Sequence, residues 1–344
     1  MKVAVFRGLR QLEVIDAPEP VMSRPDDVLL QIDRVGVCGS DIHYYLNGRI
    51  GDQVLQYPAT LGHECSGTVL AVGPDVRNVA PGDRVAIDPA ITCGTCDQCR
   101  LGRFHTCRHV RFMGSPGQAP GAAAERVVVP ARCCFAVPAN VTLDQAALVE
   151  PLSVGLHAVR VAQLGNNAKI AILGAGPIGL SVLLCAKAQG NYSITVADLR
   201  EERLKFAQLC GANGTVIVKH EGREVHEDKY EFVFECTGDP TCIDQGQRLL
   251  KCGGTLVIVG IPGVDQAIFD PHFMRRHELT FKSVRRQNQC VEPLIEMLAQ
   301  GKINADPLIT HRYSLENIAQ AFETVAGYRE GVVKAMIEVS EVYA

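Results

Sequence analysis

Neither sign of charge dominates this 344-residue sequence: 34 Lys+Arg stand against 38 Asp+Glu, for a net charge of −4. That balance speaks against a basic nucleic-acid binder and against a basic membrane-surface protein. Low-complexity tracts, long charge runs and internal repeats are missing. With 47% hydrophobic and 21% charged residues, the composition is globular rather than disordered. A signal-peptide core is also lacking, because Arg7, Arg10 and Glu13 break the apolar run at the start. Ile170–Ala186 carries no charge, but it holds three glycines and Pro177 and falls short of the ~20 residues a bilayer needs. A buried strand leading into a buried helix explains it better. The expectation is a cytoplasmic chain of two domains that works on neither nucleic acid nor membrane.

What the sequence has in quantity is cysteine, 14 in all. In a reducing compartment these serve as ligands or core fillers rather than as disulfides. Four of them form Cys93-x2-Cys96-x2-Cys99-x7-Cys107 in a polar stretch beside Asp97, Arg100 and Arg103. Such a stretch gives core packing little reason for four thiols. Four thiolates on one short lobe can enclose a tetrahedral Zn2+, and a closed four-cysteine site is structural because no position is left open.

The chain changes character near residue 150. Before it, short β-like runs (Val3–Phe6, Val28–Val35, Thr68–Val72, Arg84–Ile87, Glu125–Val129) alternate with turn signals such as Pro81-Gly82-Asp83. After it, Leu148–Leu164 reads as helix, and strands then alternate with helices: Lys169–Leu173, Ile178–Gln189, Ser193–Asp198, Glu201–Cys210, with further strands at Glu231–Glu235 and Thr255–Ile261. That alternation predicts a parallel sheet. Helices at Val291–Gln300 and Leu315–Ala326 and a strand at Val332–Glu338 close the chain. The fold class is α/β: a β-rich domain over 1–149, completed by 290–344, and a doubly wound parallel sheet over 150–289.

Gly174-Ala-Gly176-Pro-Ile178-Gly179 follows a β-run, opens a helix, and is answered by Asp198 at the end of the next strand. In that context the motif binds a dinucleotide. Gly174 permits the turn, Gly176 admits the pyrophosphate to the backbone, and Gly179 lets helix and strand pack closely. Asp198 favours a free ribose diol, hence NAD over NADP, with Arg200 and Arg203 nearby as a counterweight. A third group is dispersed: Cys38, the pair His63-Glu64 after Gly62, and Glu150. Adjacent strand residues point to opposite faces, so His63 and Glu64 share a metal only from a turn. Cysteine, histidine and carboxylate are the donors of a catalytic zinc that keeps a position open.

Gly62-His63-Glu64-x2-Gly67-x5-Gly73-x2-Val76 resembles the zinc signature of the medium-chain dehydrogenase/reductase family. Cys38-Gly-Ser40-Asp41-x-His43, Pro81-Gly-Asp-Arg-Val85 and the glycine motif at 174 follow in that family's order. The run from Cys38 through Tyr44 to Gly51, together with Glu150-Pro-Leu-Ser-Val-Gly155, Glu235-Cys-Thr-Gly238 and Thr310-His311-Arg312, is similar to the polyol branch. The resemblance spans essentially the whole chain.

It implies a GroES-like catalytic domain beside a Rossmann domain, two Zn2+ per chain, NAD, and a homotetramer or homodimer. The structural zinc would take Cys93, Cys96, Cys99 and Cys107; the catalytic zinc would take Cys38, His63 and Glu64, with Glu150 on the metal or its water. Ser40 and His43 would relay the proton. Tyr44, Phe112, Glu150, Arg285 and Arg286 would meet the substrate, while Ile178, Asp198, Arg203, Val259, Gly260, Ile261, Ser283, Val284 and Arg285 would meet the cofactor.

The implied reaction oxidises a secondary alcohol of a polyol to the ketose. Two departures bear on the substrate. Val284-Arg285-Arg286 stands where the branch carries Phe-Arg-Tyr or Phe-Arg-Phe, and a second cation there suits a carboxylate or phosphate. Ser115–Glu125 also departs from the branch's Thr-Pro-Pro-x-Asp-Gly run. The alternatives are a sugar-acid (idonate- or galactonate-type) 5-dehydrogenase, then an L-threonine 3-dehydrogenase. Outside the enzymes stands a non-catalytic zinc- and NAD-binding protein.

Overall fold

The computed structural model describes residues 1–218 and 229–340, which divide into two units. The first comprises Met1–Glu150, Val291–Gln300 and the chain from Ile309 onward; the second comprises Pro151–Cys290 with Gly301–Leu308.

The first unit is β-rich. Its main sheet runs in the order Cys134–Ala136, Arg84–Ile87, Glu64–Val72, Asp27–Gly36, Lys334–Glu338, Ile309–Ser314, with Arg126–Pro130 also pairing to Asp27–Gly36. All these pairings are antiparallel except that of Lys334–Glu338 with Ile309–Ser314, and the C-terminal strand docks against Asp27–Gly36 to complete the sheet. Inward residues such as Val28, Leu30, Ile32, Val85 and Ile337 are fully buried, as period-two patterning requires. Phe6, Tyr45 and Phe322 meet edge to face at centroid distances of 5.3–6.1 Å and tie the helix Ile318–Ala326 to this core.

Two elements differ from the sequence reading here. Residues after Cys38 form a helix, Gly39–Asn47, that ends at Gly48 in a left-handed conformation (φ 68°). The helix expected at Leu148 already begins at Leu143. Thr142 and Gln145 explain that start: the Thr142 hydroxyl accepts from the Gln145 amide and the Gln145 side chain accepts from the Thr142 amide, each at 3.1 Å. That is a capping box. The helix Leu143–Ala162 carries Glu150 on its way out of the first unit.

The second unit is a six-stranded parallel sheet in the order Gly214–Ile217, Ser193–Asp198, Lys169–Leu173, Tyr230–Glu235, Leu250–Ile258, Thr280–Ser283. The order reverses between Lys169–Leu173 and Tyr230–Glu235, and doubly wound sheets bind ligands at the carboxyl ends flanking such a reversal. Near-continuous apolar strands (Ile170, Ile172, Val233, Phe234, Leu256, Val257) are buried on both faces, as parallel sheets demand. The last long strand stops at Ile258 rather than at Ile261. The amides of Val259 and Gly260 both turn back to the Glu235 carbonyl, at 2.8 and 3.0 Å.

Candidate functional site

The four cysteines of the expected zinc lobe converge. Cys96 leads into the short helix Asp97–Arg100, Cys107 follows a 3-10 turn, and Arg108 clamps Asp97 through two hydrogen bonds, at 2.5 and 2.7 Å. Sγ–Sγ separations are 3.5 Å for Cys93–Cys107 and 3.9 Å for Cys93–Cys99 and Cys96–Cys107. A tetrahedron with Zn–S bonds of about 2.3 Å has edges of about 3.8 Å, so these spacings fit zinc and are far too long for disulfides. The amides of Thr95 and Cys96 hold Cys93 down to about 5, whereas burial pushes Cys99 up to about 12. Among the described residues this is the one group whose ligand atoms all lie within 4.8 Å of one another.

The dispersed set is arranged differently. Cys38 immediately precedes the helix Gly39–Asn47 and caps it, its Sγ accepting from the Asp41 amide. Its own amide donates to Asp41 Oδ2 at 3.2 Å, and Ser40 Oγ donates to Cys38 Sγ at 3.3 Å. Ser40 and His43, three residues apart, share a helix face. His43 is partly buried, and burial lowers its basicity below the ordinary histidine value. His63 is 6% exposed; its Nδ1 lies 3.5 Å from Asp41 Oδ1, a buried oxygen without another partner. A carboxylate behind one imidazole nitrogen orients the other toward a metal. Burial opposes the His63 cation, but Asp41 and Cys38 outweigh it.

Phe112 packs its ring 5.3 Å from the His63 ring, walling the same site. Tyr44 is 4% exposed and its hydroxyl donates to Gln53 at 3.1 Å, so most of its ring belongs to the core. Glu150 keeps some accessible surface, yet protein atoms surround its carboxyl. Burial, opposed by His63 and reinforced by Glu64, raises it to about 7. A thiol, an oriented imidazole and a nearby carboxyl fit the chemistry of a catalytic zinc.

Glu64 departs from the rest. It opens the strand Glu64–Val72, 1% exposed, and both its carboxylate oxygens accept from Lys334. No signal near Glu64 announces a lysine from the last strand.

In the second unit, Gly174 adopts φ 97° and Gly176 precedes the helix Pro177–Gln189, with proline at its first turn. A Cβ on Gly179 would lie 1.8 Å from the Gly174 carbonyl oxygen, which accounts for the third glycine. Asp198 Oδ2 accepts from the Ala175 amide at 2.7 Å and Oδ1 from the Arg200 amide at 2.8 Å. The carboxylate therefore sits at the glycine turn. Arg203 lies beside Gly176, its guanidinium 3.7 Å from where a Cβ there would be.

Val259, Gly260 and Ile261 follow the strand Leu250–Ile258. They pack on a turn at Glu235, whose buried carboxylate accepts from the amides of Thr237 and Gly238 at 2.6 and 2.9 Å. Glu235 is thus a positioning residue that the motif had marked only as resemblance. Ser283 ends the strand Thr280–Ser283, and Val284 donates its amide to Ile258. Arg285 is exposed, while Arg286 is half-buried at φ 53°, a left-handed conformation that a non-glycine residue adopts at a cost.

Comparison with known proteins agrees with this arrangement. Residues 24–139 match the alcohol dehydrogenase GroES-like domain and residues 177–300 the zinc-binding dehydrogenase domain. The chain is 41% identical over 325 residues to sorbitol dehydrogenase of Bos taurus, covering 92% of this chain and 90% of that protein. It is 35% identical over 332 residues to L-idonate 5-dehydrogenase of Vitis vinifera, covering 93% and 90%. A zinc-binding dehydrogenase of Sinorhizobium meliloti, solved with NADP bound, superimposes with a TM-score of 0.87 at 29% identity, covering 98% and 99%. Among the described residues no helix is long and apolar enough to cross a membrane. With a GroES-like β-rich unit, a doubly wound parallel sheet and relatives aligned over nearly its full length, the chain belongs to the zinc-dependent medium-chain dehydrogenase/reductase family.

Proposed function

We propose that the protein is a zinc- and NAD-dependent dehydrogenase that oxidises a secondary alcohol of a polyol, reversibly, to the ketose. The observation that carries the reading is the cluster in the first unit: Cys38, Ser40 and His43 on one helix end, with His63 held by Asp41 and walled by Phe112. When bound, zinc supplies Lewis acidity toward the substrate hydroxyl and NAD supplies the hydride acceptor. Ser40 Oγ takes the hydroxyl proton and passes it on toward a ring nitrogen of His43. That imidazole can accept it because its lowered basicity keeps it neutral near pH 7. Asp198 at the glycine turn supports NAD, since its charge opposes a 2′-phosphate. The four-sulfur spacing supports a second, structural zinc, giving two per chain. Fourteen unpaired cysteines support a reducing location, the cytoplasm.

A second reading is a sugar-acid dehydrogenase. Arg286, half-buried and held in a strained conformation beside Arg285, favours it by offering a second cation to a carboxylate. Steady-state assays with sorbitol, xylitol, L-idonate and L-threonine, each with NAD and NADP, separate the readings. Polyol turnover with NAD is expected, and Arg286→Tyr should improve it relative to L-idonate. Preference for L-idonate selects the second reading. A flat NADH signal on every substrate, with two zincs bound, leaves only a binding protein.

A further inference from the structure

Ser40 and His43, the proposed proton relay, stand on a helix of nine residues, Gly39–Asn47. An isolated helix of that length is only marginally stable, so tertiary contacts set where its side chains point. At its start, Asp41 accepts from the Cys38 amide and faces His63. Its far end is held at Tyr45, four residues on and therefore on the same buried stripe as Asp41, with Ser40 and His43 on the stripe beside it.

Three separate contacts meet at Tyr45, which is 2% exposed. Its ring packs edge to face on Phe6 and Phe322. Its carbonyl accepts from the Arg10 amide at 3.0 Å. Its hydroxyl donates to Glu323 Oε1 at 2.6 Å, and the Arg10 guanidinium donates to both oxygens of the same carboxylate, at 3.1 and 3.3 Å. Arg10, Tyr45 and Glu323 thus close a ring of bonds across segments far apart in the chain: the hairpin of Lys2–Gly8 and Gln11–Asp16, the helix Gly39–Asn47 and the helix Ile318–Ala326. Arg10 stands at φ 56°, a conformation that is costly for a non-glycine residue and persists only where its surroundings fix it. Burial, and after it the bond to Glu323, push the Tyr45 hydroxyl up to about 12, so it keeps its proton and donates throughout the working range of pH. A phenylalanine would satisfy both ring contacts. What the hydroxyl adds is a direction for the end of the helix.

We propose that Glu323 is a positioning residue for proton transfer: through the Tyr45 hydroxyl it sets the orientation of the helix Gly39–Asn47, and with it the alignment of Ser40 and His43. This inference rests on the reading of that pair as the relay of an alcohol-oxidising enzyme.

The test combines kcat for polyol oxidation with amide hydrogen exchange in the helix. Tyr45→Phe keeps the ring and removes only the bond. A relay displaced by a fraction of an ångström should cost about tenfold in kcat, with KM for the alcohol and zinc content unchanged. Glu323→Ala should do the same, whereas Glu323→Gln keeps an acceptor for the hydroxyl and should stay near the parent. Exchange over Ile42–Gly48 should quicken at least tenfold in Tyr45→Phe and Glu323→Ala but not in Glu323→Gln. The decisive comparison repeats Tyr45→Phe in a His43→Ala enzyme. With the relay already gone the second substitution should cost nothing further, while a merely structural bond would cost the same factor on both backgrounds. Should Glu323→Ala fail to fold, Tyr45→Phe carries the comparison by itself. Equal losses on both backgrounds, parental kcat in Tyr45→Phe, or a Glu323→Gln enzyme as impaired as Glu323→Ala overturns the inference. Unimpaired turnover in His43→Ala, or a parent enzyme inactive on every alcohol, overturns the relay reading itself, and the inference falls with it.

Discussion

Metal binding at the Cys93–Cys107 lobe should be steeply pH-dependent, and the structure says from which side. Cys93, held near 5 by the amides of Thr95 and Cys96, is already a thiolate at neutral pH and gives up nothing when zinc arrives. Cys99, pushed to about 12 by burial, still carries its proton there. Zinc takes only thiolates, so at least the Cys99 proton must be displaced on binding. Each displaced proton lowers the apparent affinity tenfold per pH unit as pH falls. Between pH 8 and pH 6 the lobe should therefore lose at least ~100-fold in affinity for zinc. The measurement is competition with a chromophoric chelator in a Cys38→Ser enzyme, whose remaining zinc is that of the lobe. Cys99→Ser should abolish the site, leaving the Sγ pairs that now stand 3.5–3.9 Å apart without a centre to hold them. An affinity that stays level from pH 8 to pH 6, or zinc that survives Cys99→Ser, would refute the argument.

Two further predictions concern the reaction and the cofactor. His43 must be neutral to take a proton, and burial lowers its pKa, so kcat/KM for alcohol oxidation should fall only as pH drops through a value below 6.5. His43→Ala should remove that acid limb and cost roughly 10²–10⁴ in kcat/KM; an unaltered pH profile would exclude the relay. Gly179→Ala would place a methyl 1.8 Å from the Gly174 oxygen, forcing the helix Pro177–Gln189 away from the turn. NADH affinity by calorimetry should weaken at least tenfold, and an unchanged Kd would separate the glycine turn from dinucleotide binding.

The parts legible in the sequence are those whose partners are close in the chain. The four lobe cysteines fall within one short segment, and the glycine motif meets Asp198 across a single helix and strand, so spacing alone implies geometry. The same locality could have supplied the start of the long helix, whereas the end of the strand Leu250–Ile258 could not be read that way. Thr142-x-x-Gln145 is a capping box and dates the helix to Leu143. The strand beyond Leu250 ends at Ile258 because Glu235, on its neighbour, takes the next two amides. That second contact crosses the sheet and leaves no trace in a linear pattern.

Glu64 marks the limit of such reading. His63 and Glu64 are adjacent, and adjacency next to a cysteine and a glycine turn suggests a shared metal. What meets the Glu64 side chain is set by strand register. Here register places Gly36 opposite Glu64, and the C-terminal strand, laid along the other edge of Asp27–Gly36, delivers Lys334. A buried lysine offers no periodic signature, since lysine in a strand ordinarily reads as solvent-facing. The informative residue was the glycine. A strand interior loses packing and order with glycine, so Gly36 ahead of Cys38 asks what approaches the backbone there. The answer is the Glu64 carboxylate, whose Oε2 a Cβ on Gly36 would approach to 2.3 Å, and to which Lys334 donates.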